Sequence, residues 1–140
     1  MSARSKARKQ TLDILYEADI RGTQPLDILA SRDVVEEGPD ARPIREYTRE
    51  LITGVSEHRR KIDELIATYA QGWDMDRLPA VDRNIMRLAL FEILWSDSLA
   101  DAIAIDEALA LAKELSTDES AGYIHGVLGR IASIKDGLAL

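Results

Sequence analysis

The spacing of apolar residues predicts an all-α protein. Apolar positions recur every three or four residues along most of the chain, whereas the alternation typical of β-strands is nearly absent. Six or seven helices are predicted, at about 4–20, 26–31, 44–57, 59–71, 79–95, 102–115 and 120–134. The basic run 58–61 either continues the third helix into the fourth or ends it. Loops are expected at 33–43 and 96–101, and Gly22 is expected to end the first helix.

The fifth predicted helix differs from the others in its polarity. Between Ile85 and Trp95 only Arg87 and Glu92 are charged, so this helix is apolar on nearly all sides and belongs at the centre of the fold. Buried charges need partners. We therefore expect Arg87 and Glu92 to form structural ion pairs or hydrogen bonds rather than ligand contacts.

The last predicted helix carries two local signals. The helix is expected to begin after the cap-like run 116–119, in which Ser116 and Glu119 have the spacing of a capping box. Gly122, Gly126 and Gly129 then form a stripe along one side. Small residues let helices approach closely, so we interpret the stripe as the contact with a neighbouring helix, and a ligand is the alternative.

Composition restricts the class of protein further. A chain of 140 residues with 46% hydrophobic and 31% charged residues predicts one globular domain, 1–140, with a single core. It contains no cysteine, which excludes disulfides, thiol nucleophiles and zinc–thiolate sites and fits a cytoplasmic location. No apolar run is long enough to span a membrane.

The charge is unevenly distributed. The formal net charge is −7, which argues against general coating of nucleic acid. The first ten residues nevertheless hold Arg4, Lys6, Arg8 and Lys9 and no carboxylate, which leaves a net of −11 on the other 130. A basic N-terminal segment on an acidic body is typical of a local nucleic-acid contact, although it also occurs as a merely solvated terminus.

The residues that support catalysis are mostly missing. The two histidines, His58 and His125, have no metal-binding spacing, and no glycine-rich loop joins a strand to a helix. We therefore expect no catalytic residue, no metal site and no cofactor.

Four segments together resemble the NusB transcription antitermination factor family. The basic start running into Leu15-Tyr16 resembles the opening helix of that family, and LPAVDRNIMRLALFE at 78–92 resembles its central signature. IDEALALAK at 105–113 and YIHGVL at 123–128 resemble its two closing motifs. The resemblance covers nearly the whole chain and is weakest at 21–45.

This resemblance implies an all-helical fold of two packed subbundles and a non-catalytic function. The family pairs with ribosomal protein NusE, binds the boxA element of nascent RNA, and acts with other Nus factors and RNA polymerase on ribosomal RNA operons. Self-association into a homodimer through the NusE face is left open.

The resemblance also assigns roles to single residues. The positions that match RNA-contacting positions of the family are Arg4, Lys6, Arg8, Lys9, Glu119, Tyr123 and His125. The positions expected to face NusE are Leu12, Tyr16 and Asp82. The positions expected to be structural are Arg87, Glu92 and Glu107.

Two features depart from the family pattern or leave alternatives open. His125 stands where the family usually has asparagine, which puts any hydrogen bond of that asparagine in doubt. Tyr16, taken without the resemblance, is equally consistent with packing and with anchoring a partner. Two other functions also fit this pattern: an accessory domain of an RNA methyltransferase, and a helical protein–protein scaffold that binds no RNA.

Overall fold

The helices of this protein account for most of the chain. The computed structural model describes residues 2–34, 38–39, 42–72 and 77–140. Within them the chain forms a short 3-10 turn and six α-helices, with no strand, which confirms the all-α prediction. The helices are α1 (Ala3–Arg21), α2 (Pro25–Val34), α3 (Glu46–Tyr69), α4 (Ala80–Trp95), α5 (Asp101–Leu115) and α6 (Asp118–Ile134). None of these helices is long and apolar enough to cross a membrane.

The boundaries of α1 follow from local chemistry at both ends. The Ser2 side chain accepts a hydrogen bond from the Ser5 N–H at 3.0 Å and so caps the first turn. At the other end Gly22 adopts a left-handed conformation with φ 67°, and its N–H bonds back to Ala18 and Asp19. Only glycine enters that region without steric cost, so the predicted end of this helix is confirmed.

The third and fourth predicted helices are one continuous helix, α3. No glycine or proline interrupts the chain between Gly54 and Gly72, and Arg59 pairs with Asp63 one turn later at 2.9 Å. The basic run therefore continues the helix, and the count is six rather than seven. Helix α2 also extends past its predicted end, to Val34, and part of the predicted loop at 33–43 lies outside the described residues.

Helix α4 lies at the centre of the fold. Ten of its sixteen residues are buried, and it packs against α1, α3, α5 and α6. This is the arrangement expected of a helix with few charged residues, because it has no wide polar face to turn to water. Buried apolar side chains from all six helices join in one continuous core around it.

The start of α6 is shifted by one residue from the predicted capping box. Thr117, not Ser116, caps the helix, and its hydroxyl accepts the Ser120 N–H at 2.9 Å. Ser116 instead ends α5, where its N–H donates to the Ala112 carbonyl at 2.8 Å. The capping-box pair Ser116–Glu119 is therefore wrong, because Ser116 is the C-cap residue of α5 and the N-cap of α6 is the next residue, Thr117.

The glycines of α6 and the glycine of α3 have opposite environments. A Cβ atom added at Gly122, Gly126 or Gly129 would meet no atom of the described structure within 4 Å, so the expected neighbouring helix is absent. The stripe lies away from the side of α6 that enters the core. A Cβ added at Gly54 would instead lie 2.2 Å from the ring of Phe91. The close approach of two helices is thus between α3 and α4.

This contrast predicts opposite effects of the same substitution at two glycines. Gly54→Ala should lower the free energy of unfolding, because overpacking typically costs about 1–3 kcal/mol and exceeds the gain in helix propensity. Gly126→Ala, the matched control, should raise it by about 0.8–1 kcal/mol, because it adds helix propensity in open space. Urea denaturation monitored by circular dichroism measures both. Equal shifts in the two variants would contradict the Gly54–Phe91 contact.

Candidate RNA-binding and partner-binding surfaces

The basic residues near the N-terminus form the first turns of α1 rather than a loose arm. Arg4 and Lys6 are exposed, and Lys9 is half-exposed. No acidic residue occupies the first turn of α1, although the partial positive charge of a helix N-terminus disfavours cations there. The sequence thus keeps positive charge where it costs helix stability, which favours a role in binding anions.

Two of these cations have contacts that fix their side chains. The guanidinium of Arg4 lies over the ring of Tyr47, 4.3 Å from the centroid, and donates to the Ser98 hydroxyl at 3.4 Å. The ammonium of Lys9 pairs with Glu114 at the end of α5. Both contacts involve partly exposed groups, so both side chains stay accessible from solvent.

Arg8 lies in the interior, which corrects the prediction that it contacts RNA. Its side chain is only 3% exposed, and it forms a bidentate pair with Glu92 through Nε and Nη2 at 2.8 and 2.9 Å. A third nitrogen, Nη1, lies 3.4 Å from Glu107. The side chain points inward because its position on α1 faces α4, while Lys6 and Lys9 point outward.

The Arg8–Glu92 pair is the centre of a larger polar cluster. The Tyr47 hydroxyl donates to Glu92 Oε2 at 2.5 Å, and the Ser5 hydroxyl donates to Glu107 Oε1 at 2.8 Å. Burial and the hydrogen bond to Glu92 raise the pKa of Tyr47 to about 12, so this hydroxyl stays protonated and keeps donating. Glu92 and Glu107 therefore hold the start of α1 against α4 and α5.

A second cluster holds the other end of α1. The sequence pattern predicted that Arg87 is paired but did not indicate its partners, Asp19 and Asp63. Asp19 Oδ2 accepts from Arg83 at 2.8 Å, from Asn84 at 2.9 Å and from Arg87 at 3.1 Å. Arg87 also donates to Asp63 of α3 at 2.8 Å. Burial by itself raises the pKa of Asp19, but these hydrogen bonds outweigh it and lower the pKa below its ordinary value.

Asp82 is buried rather than exposed to a partner, which corrects its assignment to a NusE-facing surface. Its side chain lies in the first turn of α4, with 3% exposure, and accepts from the Ser120 hydroxyl of α6 at 2.7 Å. Burial and the nearby Asp82 charge raise the pKa of Tyr123. Glu119 and His125 are exposed on α6. Ser120 and Tyr123 thus lie near Asp82 at the start of α4, whereas Arg8 of the basic turns contacts Glu92 near its end.

Leu12 is a core residue, so the prediction that it contacts a partner directly is also corrected. It is 2% exposed, because it lies on the side of α1 that enters the core. Tyr16, one turn later, is 39% exposed, and Ile20, another turn later, is 61% exposed. The exposed apolar surface of α1 therefore begins at Tyr16 and includes Ile20. Ile20 was not among the residues predicted to face the partner, because it comes after the last predicted core position of the helix.

The described residues contain no candidate metal-binding cluster. Among those residues no group of three or more histidine, aspartate or glutamate side chains is arranged to hold a metal ion. The carboxylates that lie close together, such as Glu92 and Glu107, are held by Arg8 instead.

Comparison with known proteins shows to which family the chain belongs. A sequence model of the NusB family matches residues 5–133. The chain belongs to the NusB family. A transcription antitermination protein NusB of Saccharopolyspora erythraea is 51% identical over 139 residues, which cover 99% of this chain and 92% of the relative. One from Nocardioides sp. is 49% identical, covering 99% of this chain and all of the relative.

Solved structures of NusB proteins share the fold of this NusB-family chain. NusB of T. maritima has a TM-score of 0.80 and 30% identity, with 98% of this chain and 99% of that chain covered. A chain from a complex of the antitermination factors NusB and NusE with double-stranded RNA has a TM-score of 0.77 and 25% identity, with 93% and 96% covered.

The buried position of Arg8 leads to a stability prediction for this NusB-family chain. Arg8→Met should lower the free energy of unfolding by about 3–5 kcal/mol, because it leaves the Glu92 carboxylate buried without its partner. Lys6→Met, two residues earlier and exposed, is the matched control and should change it by less than about 0.5 kcal/mol. Urea unfolding measures both values. A small effect for both variants would show that Arg8 is not a structural cation.

Proposed function

We propose that this chain is a non-catalytic transcription antitermination adaptor that pairs with ribosomal protein NusE and binds boxA RNA of nascent ribosomal transcripts. It would act with other Nus factors and RNA polymerase. The observation that carries the proposal is the row of accessible cations, Arg4, Lys6 and Lys9, on the first turns of a helix fixed to the core. Family membership and the likeness to the NusB–NusE–RNA complex support it.

The accessible cations of α1 suit the phosphate backbone of RNA. Lysine and arginine contact phosphates without reading the bases, so they provide affinity and position rather than sequence preference. Because α1 is already ordered, RNA binding does not have to order a flexible arm. The surrounding acidic surface limits binding elsewhere on the chain.

Base recognition is assigned to the start of α6. Tyr123 is half-buried and offers an aromatic face for stacking, and His125 offers a ring with both a donor and an acceptor when neutral. Glu119, in the first turn of α6, is able to accept hydrogen bonds from base amino groups. Specificity would come from these residues together with those of the partner.

The partner surface is assigned to the exposed apolar side chains of α1. Tyr16 and Ile20 lie one turn apart on the same side of the helix, with Leu12 buried beneath the start of that row. An exposed tyrosine beside an aliphatic residue is typical of an anchoring position at an interface.

The RNA proposal predicts partner-dependent, salt-dependent binding. The chain alone should bind boxA RNA weakly, and addition of the cognate NusE should tighten binding at least about tenfold, since the partner adds a second contact surface. Affinity should fall as salt rises, because counterions are released from the phosphates. Fluorescence anisotropy with labelled boxA RNA at two salt concentrations measures both effects. Comparable affinity for a scrambled RNA, with NusE present, would overturn the proposal.

The partner proposal predicts a selective effect at Tyr16. Tyr16→Ala should weaken NusE binding by about tenfold or more, the loss typical of an aromatic anchor. Ile103→Ala removes a comparably exposed apolar side chain, 49% exposed on α5, and should leave NusE binding unchanged. Isothermal titration calorimetry measures both affinities. Equal affinities in the two variants would place the partner surface elsewhere.

A further inference from the structure

A shallow groove between α3 and α4 has aromatic rings on one side and carboxylates on the other. Its volume is about 540 Å³, and its described lining residues all belong to these two helices. Phe91 and Trp95 lie one turn apart on α4, while Glu50 and Glu57 are exposed two turns apart on α3. The groove contains none of the residues assigned to RNA or to NusE.

The aromatic side of the groove is a set of nearly parallel rings. The His58 imidazole stacks on the Trp95 indole, with the centroids 4.0 Å apart and the planes 12° from parallel. The ring of Phe91 lies 6.1 Å from that of His58, and it reaches α3 over Gly54, which has no side chain to exclude it. All three rings are half-buried. They are therefore held by packing and still offer apolar surface to solvent.

The charge of the groove is negative. Its lining contains three carboxylates and one guanidinium, a net of −2 with histidine neutral, from Glu46, Glu50, Glu57 and Arg49. Arg49 pairs with Asp33 at the end of α2 and lies near Glu46. Within the described part of the chain, neither Glu50 nor Glu57 forms an ion pair. These two carboxylates are free to pair with a ligand.

The basic residues that follow on α3 do not cancel this charge. Arg59 and Lys61 each pair with an acidic residue further along the helix. Arg60 is exposed, and it forms no ion pair with Glu57. The negative charge at Glu50 and Glu57 therefore remains accessible.

The end of α4 adds to the negative potential. This helix ends at Trp95 without a basic residue in its last turn, and the C-terminus of a helix has a partial negative charge. Lys135 reaches one carbonyl there, that of Ile93 at 3.5 Å, but its charge is shared with Asp101 at 2.9 Å. Arg4 donates to the loop after α4 and does not line the groove. A cation in the groove would thus be attracted by both helices.

We propose that this groove binds a basic segment of a partner protein, with an arginine side chain held between the aromatic rings and the carboxylates. A guanidinium stacks on an aromatic face and donates to a carboxylate in a planar fork, so one side chain suits both sides of the groove. RNA is disfavoured here, because Glu50 and Glu57 repel phosphates. The chain would hold this partner while NusE and RNA occupy their own surfaces.

The spacing of the carboxylates indicates an extended segment with two basic residues. Glu50 and Glu57 are seven residues apart on one helix, which corresponds to about 10 Å along its axis. An extended chain covers about 10 Å in three residues. Arginines at positions i and i+3 of an extended segment would therefore meet the two carboxylates.

The test titrates the full chain into a fluorescein-labelled peptide, GSRGSRGSG, and follows its fluorescence anisotropy. Glu50→Gln with Glu57→Gln should weaken binding on the order of tenfold, because both guanidinium groups lose their charged acceptors. Trp95→Leu should weaken it about fivefold through loss of the stacking face, and Trp95→Phe, which keeps a ring, about twofold or less.

The matched control removes two carboxylates elsewhere. Asp106 on α5 and Asp136 after α6 are exposed, and neither lines the groove. Changing both to asparagine gives the same change in net charge and should alter the peptide affinity less than about twofold. Circular dichroism shows whether Trp95→Leu stays folded. If it does not, the exposed glutamine pair and Trp95→Phe still decide the outcome.

Four outcomes would overturn this assignment. Equal losses in the glutamine pair and its control would reduce the effect to net charge, and equal affinity for the lysine peptide GSKGSKGSG would exclude the stacked arginine. A parallel loss of NusE affinity in the glutamine pair would make the groove part of the NusE surface. Loss of self-association in that pair, seen by sedimentation velocity, would assign the groove to a second copy of the chain. Binding of boxA RNA should be unchanged in these variants, so a negative result leaves the proposed function standing.

Discussion

The attachment of α1 to α4 by two buried polar clusters is the constraint on which the rest of the structure depends. Arg8 meets Glu92 near one end, and Asp19 meets Arg83 and Arg87 near the other, about three helical turns apart. Apolar contacts alone tolerate a shift along the helix, whereas a displaced ion pair leaves charges buried without partners. The two clusters therefore set the register of the antiparallel helices more than they add stability.

That register decides which cations reach solvent. Because Arg8 points inward to pair with Glu92, its neighbours Lys6 and Lys9 point outward. Part of the remaining positive charge is also taken up, since Lys9 pairs with Glu114. The charge left for a ligand is therefore smaller than the +4 counted along the first ten residues. A surface of this strength accords with the proposal that RNA affinity depends on a partner.

The apolar periodicity predicted the helices well and the details of their ends less well. The apolar period shows that the residues on both sides are helical, but it does not show whether the helix is interrupted between residues 57 and 59. The helix is not interrupted there, because the basic residues 58–61 are compatible with a helix and Arg59 pairs with Asp63. The cap of α6 is Thr117 rather than Ser116, because Ser116 serves as the C-cap residue of α5.

The sequence by itself determined the helical class, the central position of α4 and, through its motifs, the resemblance to the NusB family. Only the tertiary structure distinguished Arg8 from Lys6, or Gly54 from Gly126, because each pair has the same local character along the chain. What separates them is the neighbour brought in from a distant segment: Glu92 for Arg8 and Phe91 for Gly54. Gln10 likewise bonds to the distant residues Pro43 and Arg45, and these contacts exist only in the folded chain.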